Sequence, residues 1–143
     1  MNRVVVDTNV IVALIDNKDI HHTKALNFII KLEDDNNNFI IFDCVVNEVF
    51  SVLARRSLQR GYSFKLAAEK FNIEMKKFEI TRVYPLIDQM HDSIVNFMIL
   101  NNGILNYHDS LICLAMKHKK IKNIVTFDKG FNNIEGLTVI GQK

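Results

Sequence analysis

The 143-residue chain contains one proline, Pro85, and five glycines. So few interruptions leave no room for a linker or a repeat array, and the whole of 1–143 reads as one domain. The only two cysteines, Cys44 and Cys113, each lie inside an apolar segment. That argues against a disulfide framework or a cysteine-ligated zinc and for a reducing, cytoplasmic setting. No window approaches the roughly 18 uncharged apolar residues of a membrane span. Asp7 also cuts the first apolar run too early for a signal peptide. Neither sign of charge dominates: 18 Lys+Arg stand against 16 Asp+Glu, and a net charge of +2 does not by itself argue for a nucleic-acid partner. At 48% hydrophobic and 24% charged residues, the composition is that of a soluble globular protein and excludes wholesale disorder.

What is present is a series of short apolar runs divided by helical stripes. Arg3-Val4-Val5-Val6 is β-branched and stops at Asp7-Thr8-Asn9, which predicts a buried strand running into a polar turn. Val10 to Ile15 reads as a short helix. His21 to Leu32 carries helical spacing at Ala25, Leu26, Ile29, Ile30 and Leu32. Phe39 to Phe42 follows a polar loop as the second strand. Asp43 then reads as the N-cap of a helix carrying Val45, Val46, Val49, Phe50 and Leu53 and ending near Ser57. Ser63 caps a further helix through Lys77, and Phe78 to Val83 is the third strand. Pro85 opens a long helix that Asn102-Gly103 closes, and Asp109 begins another. Asn123 to Thr126 and Leu137 to Ile140 are the last two strands. Non-alternating strands that alternate with helices imply an α/β fold with a parallel sheet of about five strands covered on both faces.

In such sheets ligands bind outside the carboxyl ends of the strands. Asp7 follows the first strand, Asp128 lies just past the fourth, Asp109 heads the helix before it, and Glu48 sits early in the helix after the second. Taken singly, Asp7 and Asp128 are ordinary turn residues, Asp109 a helix cap and Glu48 a solvated helix residue. Taken together and brought close, four carboxylates would repel one another and stay ionised only beside a cation. Hard oxygen donors suit Mg²⁺ or Mn²⁺ and suit zinc poorly, and no His-x-x-x-His or Cys-x-x-Cys pattern offers a softer site. Such a cluster orients water and a phosphate oxygen for in-line phosphodiester cleavage.

Four motifs, Val5-Val6-Asp7-Thr8-Asn9, Asn47-Glu48-Val49, Tyr107-His108-Asp109-Ser110-Leu111-Ile112 and Thr126-Phe127-Asp128-Lys129-Gly130-Phe131, occur in this order across nearly the whole chain. In this the sequence resembles the PIN domain family, and within it the VapC toxin branch or a close prokaryotic relative. The resemblance implies a Rossmann-like three-layer α/β/α sandwich. It implies that Asp7, Glu48, Asp109 and Asp128 form an acidic Mg²⁺ or Mn²⁺ site, supported by hydrogen bonds from Thr8, Asn9 and Thr126. It also implies a metal-dependent ribonuclease acting on RNA, toxin half of a toxin–antitoxin pair, with a cognate antitoxin as partner and a homodimer as the assembly.

Other features read more plainly. Arg55, Arg56 and Arg60, and Lys117, Lys119, Lys120 and Lys122, end two helices and are expected to complement their dipoles far from the acids, rather than to form a basic rim for RNA. His21, His22, His91 and His108 are expected at the surface or at helix entries, and of these only His108 adjoins a candidate acid, Asp109. Asp43 is expected to cap a helix and not to join the site. Two alternatives stand beside the nuclease: a PIN-fold RNA-binding or scaffolding module that does not cleave, and an acidic-site phosphatase. The phosphatase chemistry wants a second aspartate two residues after the first, and Asn9 stands there.

Overall fold

A computed structural model describes residues 2–141; Met1, Gln142 and Lys143 of the expected domain lie outside the described residues. Five strands form one parallel sheet in the order β3-β2-β1-β4-β5. Central strand β1 (Arg3–Val6) pairs with β2 (Asn38–Phe42) on one side and β4 (Asn123–Val125) on the other. Val4, Val5 and Val6 are almost wholly buried, as are Ile40, Ile41 and Phe42. A strand covered on both faces has no polar face to alternate with, so the apolar runs are continuous. The edges are short: β3 (Glu79–Thr81) and β5 (Thr138–Ile140). The third strand is thus shorter than the Phe78 to Val83 expectation: it pairs on one side only, and Glu79 and Ile80 are both exposed. After β5, Gly141 has φ +104°, and a Cβ there would stand 3.0 Å from the Thr126 carbonyl oxygen, so only glycine fits.

Helices α1 (Thr8–Ile15), α2 (His22–Asp34), α3 (Asp43–Arg60) and α4 (Phe64–Glu74) link the strands on the β1-β2-β3 side and pack on one another. The chain then returns across the sheet through α5 (Ile87–Leu100) and α6 (Tyr107–His118), which pack as a pair. Right-handed crossovers that reverse direction place the two sets on opposite faces, giving the expected three layers. Pro85 lies in a single 3₁₀ turn, Tyr84–Leu86, immediately before α5, where its missing N–H costs nothing. Ser63 caps α4 as expected, accepting from Leu66 N at 3.2 Å.

Two helix starts differ from the sequence reading. Asn106 caps α6, its side chain accepting from Asp109 N at 2.8 Å, so Asp109 lies in the first turn and not at the cap. Phe42 occupies the cap position of α3, and Asp43 is its first residue. Asp43 Oδ1 accepts from Cys44 N at 3.0 Å, Val83 N at 2.8 Å and Tyr84 N at 3.3 Å. It therefore fastens the segment after β3 to the head of α3.

Candidate active site

The order β3-β2-β1-β4-β5 reverses direction between β1 and β4. The chain leaves β1 towards β2 and comes back to β4 on the other side. Connections diverge at such a point and leave a crevice beyond the strand ends. Asp7, directly after β1, and the segment Thr126 to Asp128, directly after β4, both stand there.

Asp7 is 4% exposed. Its Oδ1 accepts from Thr8 N at 2.8 Å, and its Oδ2 accepts from the Thr126 hydroxyl at 2.7 Å. The same hydroxyl oxygen accepts from Asn9 Nδ2 at 3.3 Å and from Asp128 N at 3.0 Å. Asn9 Oδ1 in turn accepts from Phe127 N at 3.1 Å. Thr126 thereby knots the ends of β1 and β4 together. Burial pushes Asp7 up to about 6; the Thr126 and Thr8 hydrogen bonds oppose this, and the charges of Asp109 and Glu48 add to it.

Glu48 and Asp109 reach the same place from two helices. They are joined by a histidine expected at the surface or a helix entry and marked in the sequence only by its place beside Asp109. His108 Nδ1 lies 2.9 Å from Glu48 Oε2 and 3.8 Å from Asp109 Oδ1, while its Nε2 donates to the Cys44 carbonyl at 3.2 Å. Burial of the ring favours its neutral form. Contacts with Asp109, the Cys44 carbonyl and Glu48 outweigh this and hold the imidazole well above its ordinary range. Nδ1 faces Glu48 as a close ion-pair contact, and the buried Glu48 Oε2 accepts no well-formed hydrogen bond among the described residues. The imidazolium beside Glu48 outweighs burial there and holds that carboxyl below its usual range.

Asp128 starts a short 3₁₀ turn and accepts from Gly130 N at 2.8 Å. Asp7, Glu48, Asp109 and Asp128 line one cavity of about 320 Å³, together with Thr8 and Asn9. They share the cavity without closing into a ready-made cage: among the described residues no three acid, histidine or cysteine groups stand at distances that would hold a metal ion. Asp7 turns its oxygens to Thr8 and Thr126, and Asp128 turns one to Gly130. An ionised carboxylate offers about four lone-pair positions, so each keeps acceptor capacity towards the cavity. The donor set is all oxygen, fits a hard divalent cation in its chemistry, and contains no thiolate or free imidazole.

Two further residues belong to this cavity. Arg55 and Arg56 line it, contrary to the expectation that the arginines of this helix lie far from the acids. The reason is that α3 runs along the crevice after Glu48 instead of away from it. The two differ in what they do. Arg56 Nη1 pairs with Asp16 at 2.8 Å and with Asp19 at 2.9 Å, and Arg60 pairs with the same Asp16 at 3.1 Å. Asp16 is 8% exposed, so this is a structural pin between α1 and α3. Arg55 is exposed and forms no ion pair among the described residues. The histidines expected at the surface have partners: His22 Nδ1 meets the Ala13 carbonyl at 2.6 Å, His91 Nδ1 meets Tyr107 Oη at 3.0 Å, and His21 stacks on Phe127 with ring centroids 4.5 Å apart.

A parallel α/β sandwich with four acids around the crevice at its switch point is the class this structure defines. The sequence matches the PIN domain family model over residues 4–137, and the chain belongs to that family. The fold is shared with VapC structures. VapBC2 from Rickettsia felis, bound to a DNA fragment from its promoter, superposes with a TM-score of 0.74 at 18% identity, covering 99% of each chain. VapC20 from Mycobacterium tuberculosis, a toxin that cleaves the sarcin–ricin loop, gives a TM-score of 0.69 at 22% identity, covering 90% of this chain and 92% of that one. DNA-bound VapBC from Salmonella typhimurium gives 0.68 at 14% identity, covering 98% of each chain. No curated protein sequence matches this one. Among the described residues no helix is long and apolar enough to cross a membrane.

Proposed function

We propose that the chain is a divalent-metal-dependent endoribonuclease and the toxin half of a toxin–antitoxin pair. The observation that carries this reading is the gathering of Asp7, Glu48, Asp109 and Asp128, from four separate segments, around one cavity at the switch point of a PIN fold. These four residues would hold Mg²⁺ or Mn²⁺. When bound, such a cation supplies an acidified water and a Lewis acid for phosphodiester hydrolysis. The remaining work falls to the chain. Thr126, with the Thr8 amide, keeps both Asp7 oxygens oriented, and Asn9 holds the β4 exit so that Asp128 faces the same cavity. Arg55 adds a positive charge at the rim suited to a substrate phosphate.

Incubation of the purified protein with labelled RNA in Mg²⁺, in Mn²⁺ and in chelator tests this. Cleavage only with metal, leaving 5′-phosphate and 3′-hydroxyl ends, is expected. Products ending in 2′,3′-cyclic phosphate, or activity that survives excess chelator, would defeat it. RNA bound but never cut would instead favour the non-cleaving module.

The VapBC neighbours support a cognate antitoxin as the protein partner, a protein able to place a cationic side chain against the acids. A homodimer in the cytoplasm completes the reading. Leu26 and Ile30 on α2, and Phe64, Leu66 and Ile73 on α4, are exposed apolar side chains available to such an interface. Light scattering that returns the monomer mass at micromolar concentration would remove the dimer. A strain that grows normally while expressing an active nuclease without its antitoxin would remove the toxin.

A further inference from the structure

The acids of the cavity are not held alike. Asp7 takes a backbone N–H from Thr8 and a hydroxyl from Thr126, and Asp128 takes the backbone N–H of Gly130. Glu48 is met by side chains instead, chiefly His108, with Thr8 and the charge of Arg55 beside it. Its side chain is longer than theirs, 41% exposed, and carried on a helix flank. Left to itself, such a side chain samples several rotamers, and ordering one costs side-chain entropy.

His108 is what meets it. The ring comes from α6 and lies across one turn of α3. Cys44 and Glu48 are four residues apart on that helix and so share a face. Nε2 donates to the Cys44 carbonyl at 3.2 Å, and Nδ1 stands 2.9 Å from Glu48 Oε2. With a fixed main-chain acceptor at one nitrogen, the other cannot swing away from the carboxylate without breaking the first bond. Asn106 completes the arrangement by capping α6, which leaves the first turn bearing His108 and Asp109 in a set orientation.

We propose that His108 is a positioning residue, a strut from α6 that holds the Glu48 carboxylate over the acidic cavity in the orientation that receives a divalent cation. This rests on the metal-site reading proposed above. Groups that brace a metal-ligating side chain fix its direction, and their removal costs about 10–100-fold in metal affinity or activity. The opposite role would be a competing cation, whose loss tightens metal binding. The sign of the change separates the two.

The test uses the full chain as wild type, His108→Leu, His108→Asn and His108→Gln. Mn²⁺ titrations followed by electron paramagnetic resonance give the affinity. Circular dichroism and melting in chelator report the fold. His108→Leu and His108→Gln are expected to weaken Mn²⁺ binding by about 10–100-fold, since a Gln amide overlies Nε2 and keeps only the reach to the Cys44 carbonyl. The amide nitrogen of His108→Asn overlies Nδ1, the atom that faces Glu48, and should return the affinity to within a few-fold of wild type. At saturating Mn²⁺ the KM for RNA should stay unchanged, while kcat falls in the Leu and Gln variants. Folded variants that bind Mn²⁺ as tightly as wild type, or more tightly, overturn the assignment. So do equal losses in all three variants matched by equal falls in melting temperature in chelator, which would mark a packing role. Should the Leu variant not fold, the Asn–Gln contrast decides alone. Wild type that takes up no Mn²⁺ at millimolar concentration removes the metal-site reading itself; wild type that binds beside Leu and Gln variants that bind equally removes only the role of His108.

Discussion

The Thr126 hydroxyl donates to Asp7 Oδ2 at 2.7 Å, joining the ends of two adjacent strands that lie 119 residues apart in the chain. Its oxygen also accepts from Asn9 and from the Asp128 amide, so three elements of the cavity meet at one atom. Thr126 is wholly buried, and water cannot replace what its hydroxyl does.

Thr126→Val keeps the shape and removes the hydroxyl. It leaves the Asp128 amide and Asn9 Nδ2 without this acceptor and Asp7 Oδ2 without its hydroxyl donor. A loss of about 1–3 kcal/mol in urea unfolding is expected, together with a large fall in cleavage. Thr126→Ser, which keeps the hydroxyl, should recover most of both. A valine variant as stable and as active as wild type would show that the knot is dispensable.

Asp109 and Asp43 separate the site from its surroundings. Asp109→Asn should lower cleavage by about two orders of magnitude or more, the scale of losing a principal charge-stabilising group. Asp43 does not line the cavity, and it serves Cys44, Val83 and Tyr84 as an acceptor. Asp43→Asn can keep Oδ1 as an acceptor, so activity should hold while stability drops by about 0.5–1.5 kcal/mol. Equal activity losses in a side-by-side assay would mean the cavity is not where the chemistry occurs.

Asp7 makes metal-free stability depend on pH in an unusual direction. Its folded pKa of about 6 lies above the ordinary 3.8. A raised pKa means the proton is held more tightly in the folded state. The contribution is fully present below about pH 4 and is lost as pH rises through about 6. Asp7→Asn removes this loss. In chelator, the variant should therefore gain on wild type between pH 4 and pH 7, by on the order of 1–3 kcal/mol. Millimolar Mg²⁺ or Mn²⁺ should reverse the ranking, since the cation binds only the intact site and only the folded protein. Paired urea titrations at several pH values check this, and a difference that stays flat with pH would speak against Asp7 being buried among its fellow acids.

Two neighbouring arginines should behave differently. Arg56→Met breaks the pin to Asp16 and Asp19, and a stability loss of about 1.5–3 kcal/mol is expected at neutral pH. Asp16 is held below its ordinary range by Arg56 and Arg60 against the penalty of burial, so its contribution is present above that range and lost on acidification. The Arg56→Met deficit should therefore shrink as pH falls through the carboxylate range. Arg55→Met should leave stability unchanged and weaken RNA binding, with the salt slope reduced by about one. Matching stability losses in the two variants would contradict the division of labour between them.

The strands were legible because burial on both faces leaves continuous β-branched runs. Val4 to Val6 and Phe39 to Phe42 are therefore readable without any partner. Once a parallel sheet is inferred, the strand ends follow, and Asp7 and Asp128 stand at them by position alone. Their gathering with Glu48 and Asp109 in one cavity matches the order of the four motifs.

What the linear pattern could not carry is which side chains meet. Asp43 looked like a cap because capping is a local rule, yet its strongest partner is Val83 N, 40 residues away. His108 stood out only as the neighbour of Asp109 and Arg55 only as part of a basic cluster, because one acts through a helix 64 residues earlier in the chain and the other depends on the path of α3 along the crevice. Periodicity and capping are short-range effects, so the sequence alone determined the elements and the acids at their ends. The reversal of strand order between β1 and β4 is a long-range packing outcome. It decided that Thr126 would hold Asp7 and that His108 would reach Glu48, while the packing of α3 on α1 decided that Arg56 would be pinned to Asp16 with the charge of Arg55 acting on Glu48.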